Sequence, residues 1–295
     1  VSERYFDAAF LQRLERLALV ARRTLRGLGR GDRRSKRAGG SVEFSDYRRY
    51  AWGDEVRRID WYAYARFETL FLKLFVEEQD LAVHVLVDAS ASMRTGTPAK
   101  LGYALRAAAA LGYVALAAGD RLSLRAFVGA ESSPPFGPAR GRGRLPRLLQ
   151  HLERTGSPGG KTSLAGAAAA FLARRPEPGV VLLISDLLDG DGYEKPLARL
   201  RAAGHEPFIL QLAAPEEVAP ALGDEHDLVD AETGEVVPVT LDRTAVRAYA
   251  ERFRAFVAGV ELFAKKLEIG HILVRTDLPF EALVLELCQR RALAS

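Results

Sequence analysis

Two carboxylates and three hydroxyls stand where one fold could bring them to a single cation: Asp88, Ser90 and Ser92 in the run Asp-Ala-Ser-Ala-Ser, then Thr162, then Asp186. Alternate residues of an extended turn point the same way, so Asp88, Ser90 and Ser92 can converge while Ala89 and Ala91 point elsewhere. The small residues between them permit close approach. Hard oxygen donors with few carboxylates suit Mg2+, or Mn2+ in its place, and such an ion usually keeps waters or takes a ligand from a partner. One divalent ion with an open coordination position is the expected result.

Other chemistries have weaker support. Gly156-Ser-Pro-Gly-Gly-Lys-Thr162 superficially resembles a phosphate-binding P-loop, but that motif needs glycine at position 155, which is Thr155. The segment before it, Leu145 to Arg154, also reads as helix where the motif requires a buried strand. A metal-dependent hydrolase would add a base or a second metal to Asp88 and Asp186. Asp189 and Asp191, in Asp-Gly-Asp-Gly, read instead as solvated turn residues. The histidines His84, His151, His205, His226 and His271 have no ligand-like spacing, and Cys288 is the only cysteine, so neither a zinc finger nor an internal disulfide is available. The chain is expected not to be an enzyme.

The elements that must position the five donors follow from hydrophobic patterning. Leu81 to Val87 is almost wholly apolar, as befits a central parallel strand covered on both faces, and it ends at Asp88. Val180 to Ser185 is a second such strand, ending at Asp186. Helices are expected over Pro98 to Ala118, Leu145 to Arg154, Ser163 to Arg174 and Tyr193 to Ala203, with further strands at Arg121 to Val128 and Pro207 to Leu212. Strands alternating with helices of this length predict an α/β fold with a doubly wound, mostly parallel sheet of Rossmann type. In such a sheet ligands bind beyond the carboxyl ends of the strands, where Asp88 and Asp186 fall. A hairpin around Glu232-Thr233-Gly234-Glu235, a long helix through Tyr249 and Phe263, a strand at His271 to Val274 and a helix from Phe280 complete the pattern.

Ahead of this lies an appendage. Phe6, Phe10, Leu14, Leu17 and Ala21 recur at helical spacing, and residues 41–75 mix short alternating runs with turns. Two divisions are expected: an N-terminal helical and irregular appendage over 1–75, and the α/β domain with a helical extension over 76–295. Charge follows the same division. Residues 1–75 hold 17 basic and 10 acidic side chains, whereas the rest holds 25 and 28, within a net charge of +4. The densest patch, Arg22, Arg23, Arg26, Arg30, Arg33, Arg34, Lys36 and Arg37, could meet an acidic protein or phosphates. Nucleic-acid binding through that patch, with Tyr47, Tyr50 and Trp61 as stacking groups, is the alternative function. No uninterrupted apolar run approaches the ~18 residues of a membrane span and no signal-peptide order is present, so a cytoplasmic protein is expected.

With these residues in view, the run Asp88-x-Ser90-x-Ser92 with Thr162 and Asp186 resembles the metal-ion-dependent adhesion site of the von Willebrand factor A domain. Thr162 is followed by Ser163 where many members of that superfamily carry Asp. A second resemblance precedes it: Phe44-Ser-Asp-Tyr-Arg-Arg-Tyr50, Gly53-Asp-Glu-Val-Arg-Arg-Ile-Asp-Trp61 and Ala65-Arg66 look like the signature of the bacterial domain-of-unknown-function family 58, which places it just before an A-type domain. Asp230-Ala-Glu-Thr-Gly-Glu235 also looks familial. Relatives are commonly associated with MoxR-type AAA+ ATPases. The resemblance therefore implies metal-dependent gripping of a protein partner in a chaperone-like or assembly system. Arg57, Arg58, Asp60 and Arg66 are expected to form an ion-pair network around Trp61 that ties the appendage onto the domain, with contact to a partner as the alternative.

Overall fold

A computed structural model describes residues 5–7, 9–16, 42–77, 81–129, 131–132, 134–155, 160–221 and 225–283. The chain divides into two compact units, Gly31–Asp80 on the one hand and Val1–Arg30 with Leu81–Ser295 on the other. The helix α1, residues 9–16, thus belongs with the larger unit. Its Phe10 and Leu14, with Phe6 ahead of it, are buried in the main core. A division at residue 75 therefore separates α1 from the body it packs on, because its apolar stripe is covered by the α/β core. The rest of the expected N-terminal helix, the basic patch and Cys288 lie outside the described residues.

In the smaller unit β1, Val42–Arg49, pairs antiparallel with β2, Phe71–Glu77, and α2, Trp61–Phe67, lies between them in sequence. Asp60 caps α2 by accepting from the amides of Tyr62 and Ala63 at 3.0 and 3.2 Å, and it also accepts the Tyr47 hydroxyl at 2.7 Å. That hydroxyl and a ring contact with Phe71 engage Tyr47 inside its own unit.

The larger unit continues with β3 Ala82–Asp88, α3 Lys100–Ala118, β4 Arg121–Val128, β5 Glu131–Ser132, β6 Phe136–Ala139, α4 Leu145–Glu153, α5 Leu164–Leu172 and β7 Val180–Ser185. There follow α6 Glu194–Ala202, β8 Glu206–Ala213, α7 Pro215–Val218, β9 Glu225–Val229, β10 Val236–Thr240, α8 Arg243–Lys266 and β11 Gly270–Arg275. A seven-stranded sheet runs β11-β8-β7-β3-β4-β5, with β6 also on β4. All pairs from β11 to β4 are parallel, while β5 and β6 run antiparallel to β4. The chain winds outward from β3 through β4, then returns to β7 and winds outward the other way. This is a doubly wound sheet whose direction switches between β3 and β7.

Period-two alternation fills both faces of that sheet. Val83, Val85, Val87, Leu182, Ile184, Leu210 and Leu212 join the core beneath α1, α3 and α4, whereas Leu86, Val181, Leu183 and Ile209 join the core beneath α5, α6 and α8. The central helix α3 is 19 residues long with a mean hydropathy of 1.4, long and apolar enough to cross a membrane by length and composition. The absence of an uninterrupted apolar run concealed this. Its apolarity has a packing cause: it is buried along most of its length against the sheet.

Candidate metal centre at the sheet switch point

The pairing of β3 with β7 sets Val87 beside Ile184, so Asp88 and Ser185 end adjacent strands and Asp186 follows directly. The Asp88 carboxylate accepts the Ser90 amide on Oδ1 at 2.9 Å and the Ser185 hydroxyl on Oδ2 at 2.7 Å. The first bond is an Asx turn, which folds the chain back over the strand end. It brings the Ser90 and Ser92 hydroxyls to 3.1 Å from each other. The loop is then seated by Gly96, whose φ of +96° and close approach to the Ala214 Cβ at the end of β8 leave no room for a side chain.

Thr162 arrives from a different crossover. The Ala91 amide donates to the Gly160 carbonyl at 3.1 Å, tying the Asp88–Ser92 loop to the segment that carries Thr162. Ser163 caps α5 through the Gly166 amide at 3.1 Å, and Asp189 accepts the Leu164 amide at 2.7 Å. Asp189 is therefore more than a solvated turn residue: it clamps the β7 loop to the start of α5. Lys161 is exposed, and the described segment ahead of this loop is the helix α4, as its pattern predicts.

All five expected donors are buried, Asp88 and Ser90 completely, with Ser92, Thr162 and Asp186 at 8%, 2% and 3% exposure. Three charged groups that sequence reading missed complete the surroundings. Lys100, fully buried at the start of α3, donates to Asp186 Oδ2 at 2.8 Å and is also bonded to Glu217 of α7. Burial works against its ammonium, but the charges of Asp186 and Glu217 prevail and hold its pKa above the ordinary lysine value. Glu232, from the turn between β9 and β10, accepts both the Thr162 amide at 2.9 Å and the Thr162 hydroxyl at 2.6 Å on one oxygen.

Asp88 bears the electrostatic consequence. Burial, and after it the charge of Asp186, pushes its carboxyl up to about 6, against the opposing hydrogen bonds from Ser185 and Ser90. A buried carboxylate short of positive charge, surrounded by hydroxyl donors, is chemistry that fits a hard divalent cation. Asp88, Ser90, Ser92, Thr162 and Asp186 are the residues that would hold one.

The mostly parallel sheet, with this crevice at its switch point, defines a doubly wound α/β domain. The chain belongs to the family described as Protein of unknown function DUF58, whose model matches residues 46–257. It is similar to the uncharacterized proteins Mb1516 of Mycobacterium bovis and Rv1480 of Mycobacterium tuberculosis, each 30% identical, with 92% of this chain and 86% of the relative covered. Among solved structures it is similar to the conserved hypothetical protein BatB from Bacteroides thetaiotaomicron, at 17% identity and a TM-score of 0.43, and to an aerotolerance-related membrane protein from Bacteroides fragilis, at 14% and 0.42. Each comparison covers 73% of this chain and 100% of the other.

Proposed function

We propose that this chain is a metal-dependent protein-binding module, not an enzyme, that grips an acidic group of a partner protein at the carboxyl end of β3. One observation carries the reading. Five oxygen-bearing side chains from three separate segments are each buried at the switch point of a doubly wound sheet, on loops that the Ala91–Gly160 hydrogen bond and the Asp88–Ser185 hydrogen bond tie together, and burial raises the pKa of Asp88. Asp88, Ser90, Ser92, Thr162 and Asp186 would hold Mg2+, or Mn2+ in its place. Such an ion supplies a concentrated positive charge and a position open to an oxygen from outside. Asp88 and Asp186 provide the negative charge that retains it, while the serine and threonine hydroxyls add donors without adding negative charge, so a partner carboxylate can enter as a direct ligand of the ion.

The family resemblance nominates a MoxR-type AAA+ ATPase, or a client of one, as the first partner to test. Calorimetry of the purified chain should register one Mn2+ or Mg2+ site that Asp88→Ala abolishes. Pull-down of the ATPase should collapse in EDTA and return with Mg2+, and Thr162→Ala or Ser90→Ala should weaken it in a folded protein. Capture that is equal in EDTA and Mg2+, with the Thr162 variant matching wild type, would sink the reading.

A further inference from the structure

We propose that Glu232 is the chain's own acidic ligand for this site: it holds the place of the partner carboxylate on Thr162, and the β9–β10 turn must release it before an acidic partner group can enter. The inference rests on the metal-dependent binding reading above and adds to it a regulatory element and a recognition rule.

Both donors of Thr162 are directed at one atom, Glu232 Oε1, the amide at 2.9 Å and the hydroxyl at 2.6 Å. A hydroxyl that gives its proton to Glu232 keeps its lone pairs for a cation. The contact is therefore compatible with Thr162 serving as a metal donor, and it places a carboxylate beside that donor. The two residues lie 70 apart in sequence, so this is a tertiary contact. Among residues 230–235, Glu232 is partly buried while the other five are exposed.

The turn is built to present that one side chain. Asp230 Oδ1 accepts the amides of Glu232 and Thr233 at 2.8 and 2.7 Å, and the Asp230 carbonyl accepts the Gly234 amide at 2.8 Å, with Gly234 at a φ of +74°. These bonds are internal to the turn and survive its displacement. β9 and β10 form a two-stranded sheet with each other, apart from the seven-stranded sheet, so moving the turn breaks no strand pairing of the main body.

Charge decides what can replace Glu232. Asp88, Asp186 and Glu217 already crowd this end of the sheet, with Lys100 engaged by the last two. An added carboxylate is held there by the Thr162 donors and by whatever cation the site carries, so the entering group must offer the same chemistry. A tethered carboxylate competes at an effective concentration of the order of millimolar. Removing it should strengthen capture of an external acid by at least tenfold.

The test uses the full chain, saturating Mg2+, and a fluorescein-labelled hexaglutamate peptide followed by anisotropy, counting only binding that EDTA abolishes. Glu232→Gln and Glu232→Ala should each tighten that binding at least tenfold, while Glu235→Gln, on the same turn, behaves as wild type. Mn2+ capture is measured in parallel by loss of the free-ion electron paramagnetic resonance signal, in these variants and in Asp88→Ala. If Mn2+ capture depends on Asp88 but peptide binding in both Glu232 variants equals wild type or is undetectable, Glu232 is not the internal ligand and the proposal is overturned. If no form captures Mn2+, or Asp88→Ala captures it as wild type does, the metal-site reading fails and takes this inference with it.

Discussion

Folding removes the Asp88 carboxylate from water and gives it two hydrogen bonds, while the nearby Lys100 ammonium is engaged by Asp186 and Glu217. Its folded pKa of about 6 stands above the unfolded value of 3.8, so between these values the folded state binds more protons than the unfolded one. The stabilising contribution is then full below the unfolded pKa and is lost as pH rises through the folded one. In EDTA, this group should lower stability by up to about 3 kcal/mol between pH 4 and 7. Asp88→Asn should flatten that slope in urea unfolding, and a variant with the wild-type slope would contradict the assignment. A divalent ion needs the ionised form, so its affinity should rise over the same pH window and binding there should release a proton. Lys100→Met tests the other charge. Removing one partner of a buried ion pair costs about 3–5 kcal/mol, because the carboxylate left behind is uncompensated. Mg2+ should return part of that loss, which urea midpoints in EDTA and in Mg2+ would reveal. An identical loss in both would mean that the metal does not relieve Asp186.

At the scale of elements, the strands and helices that carry the five donors were legible because their signals are local. An unbroken apolar run marks a strand covered on both faces, and Asp88 and Asp186 sit where such runs stop. Lys100, Glu217 and Glu232 were missed, and Asp189 was read as a solvated turn residue, for a common reason: each acts across a crossover, on a group 25 to 117 residues away. Lys100 left one readable trace, a cation in the first turn of an apolar helix, where the helix dipole disfavours it unless an acid is near. Glu232 left none, since an acidic residue in a turn is ordinarily solvated. The loop from β3 to α3 offers an element-scale test. Gly96→Ala alters no donor, but it sets a Cβ 2.4 Å from that of Ala214 at a φ of +96°. It should cost about 1–3 kcal/mol of stability and weaken Mn2+ affinity by moving Ser90 and Ser92. Unchanged affinity in that variant would show that the loop's seating does not shape the site.

For the molecule as a whole, the donors belong to one of its two compact units, and this predicts where metal should act. Asp88, Ser90, Ser92, Thr162 and Asp186 lie in the larger unit, and none lies in Gly31–Asp80. An ion that binds the folded larger unit and not its unfolded chain stabilises it by mass action, by about 2.7 kcal/mol at a hundred times its dissociation constant. The donors come from segments that follow β3, precede α5 and follow β7, so unfolding of the sheet between them scatters the site and must release the ion. Mg2+ should therefore slow hydrogen exchange of the slowest amides in β3 and β7, the ones that open with the whole sheet. It should leave the amides of β1 and β2 unchanged, because no donor there is lost when they open. Asp88→Ala should erase the effect in β3 and β7. Equal protection of both units by Mg2+, or protection in β3 and β7 that persists in the Asp88 variant, would place the stabilising ion somewhere other than the switch point of the sheet.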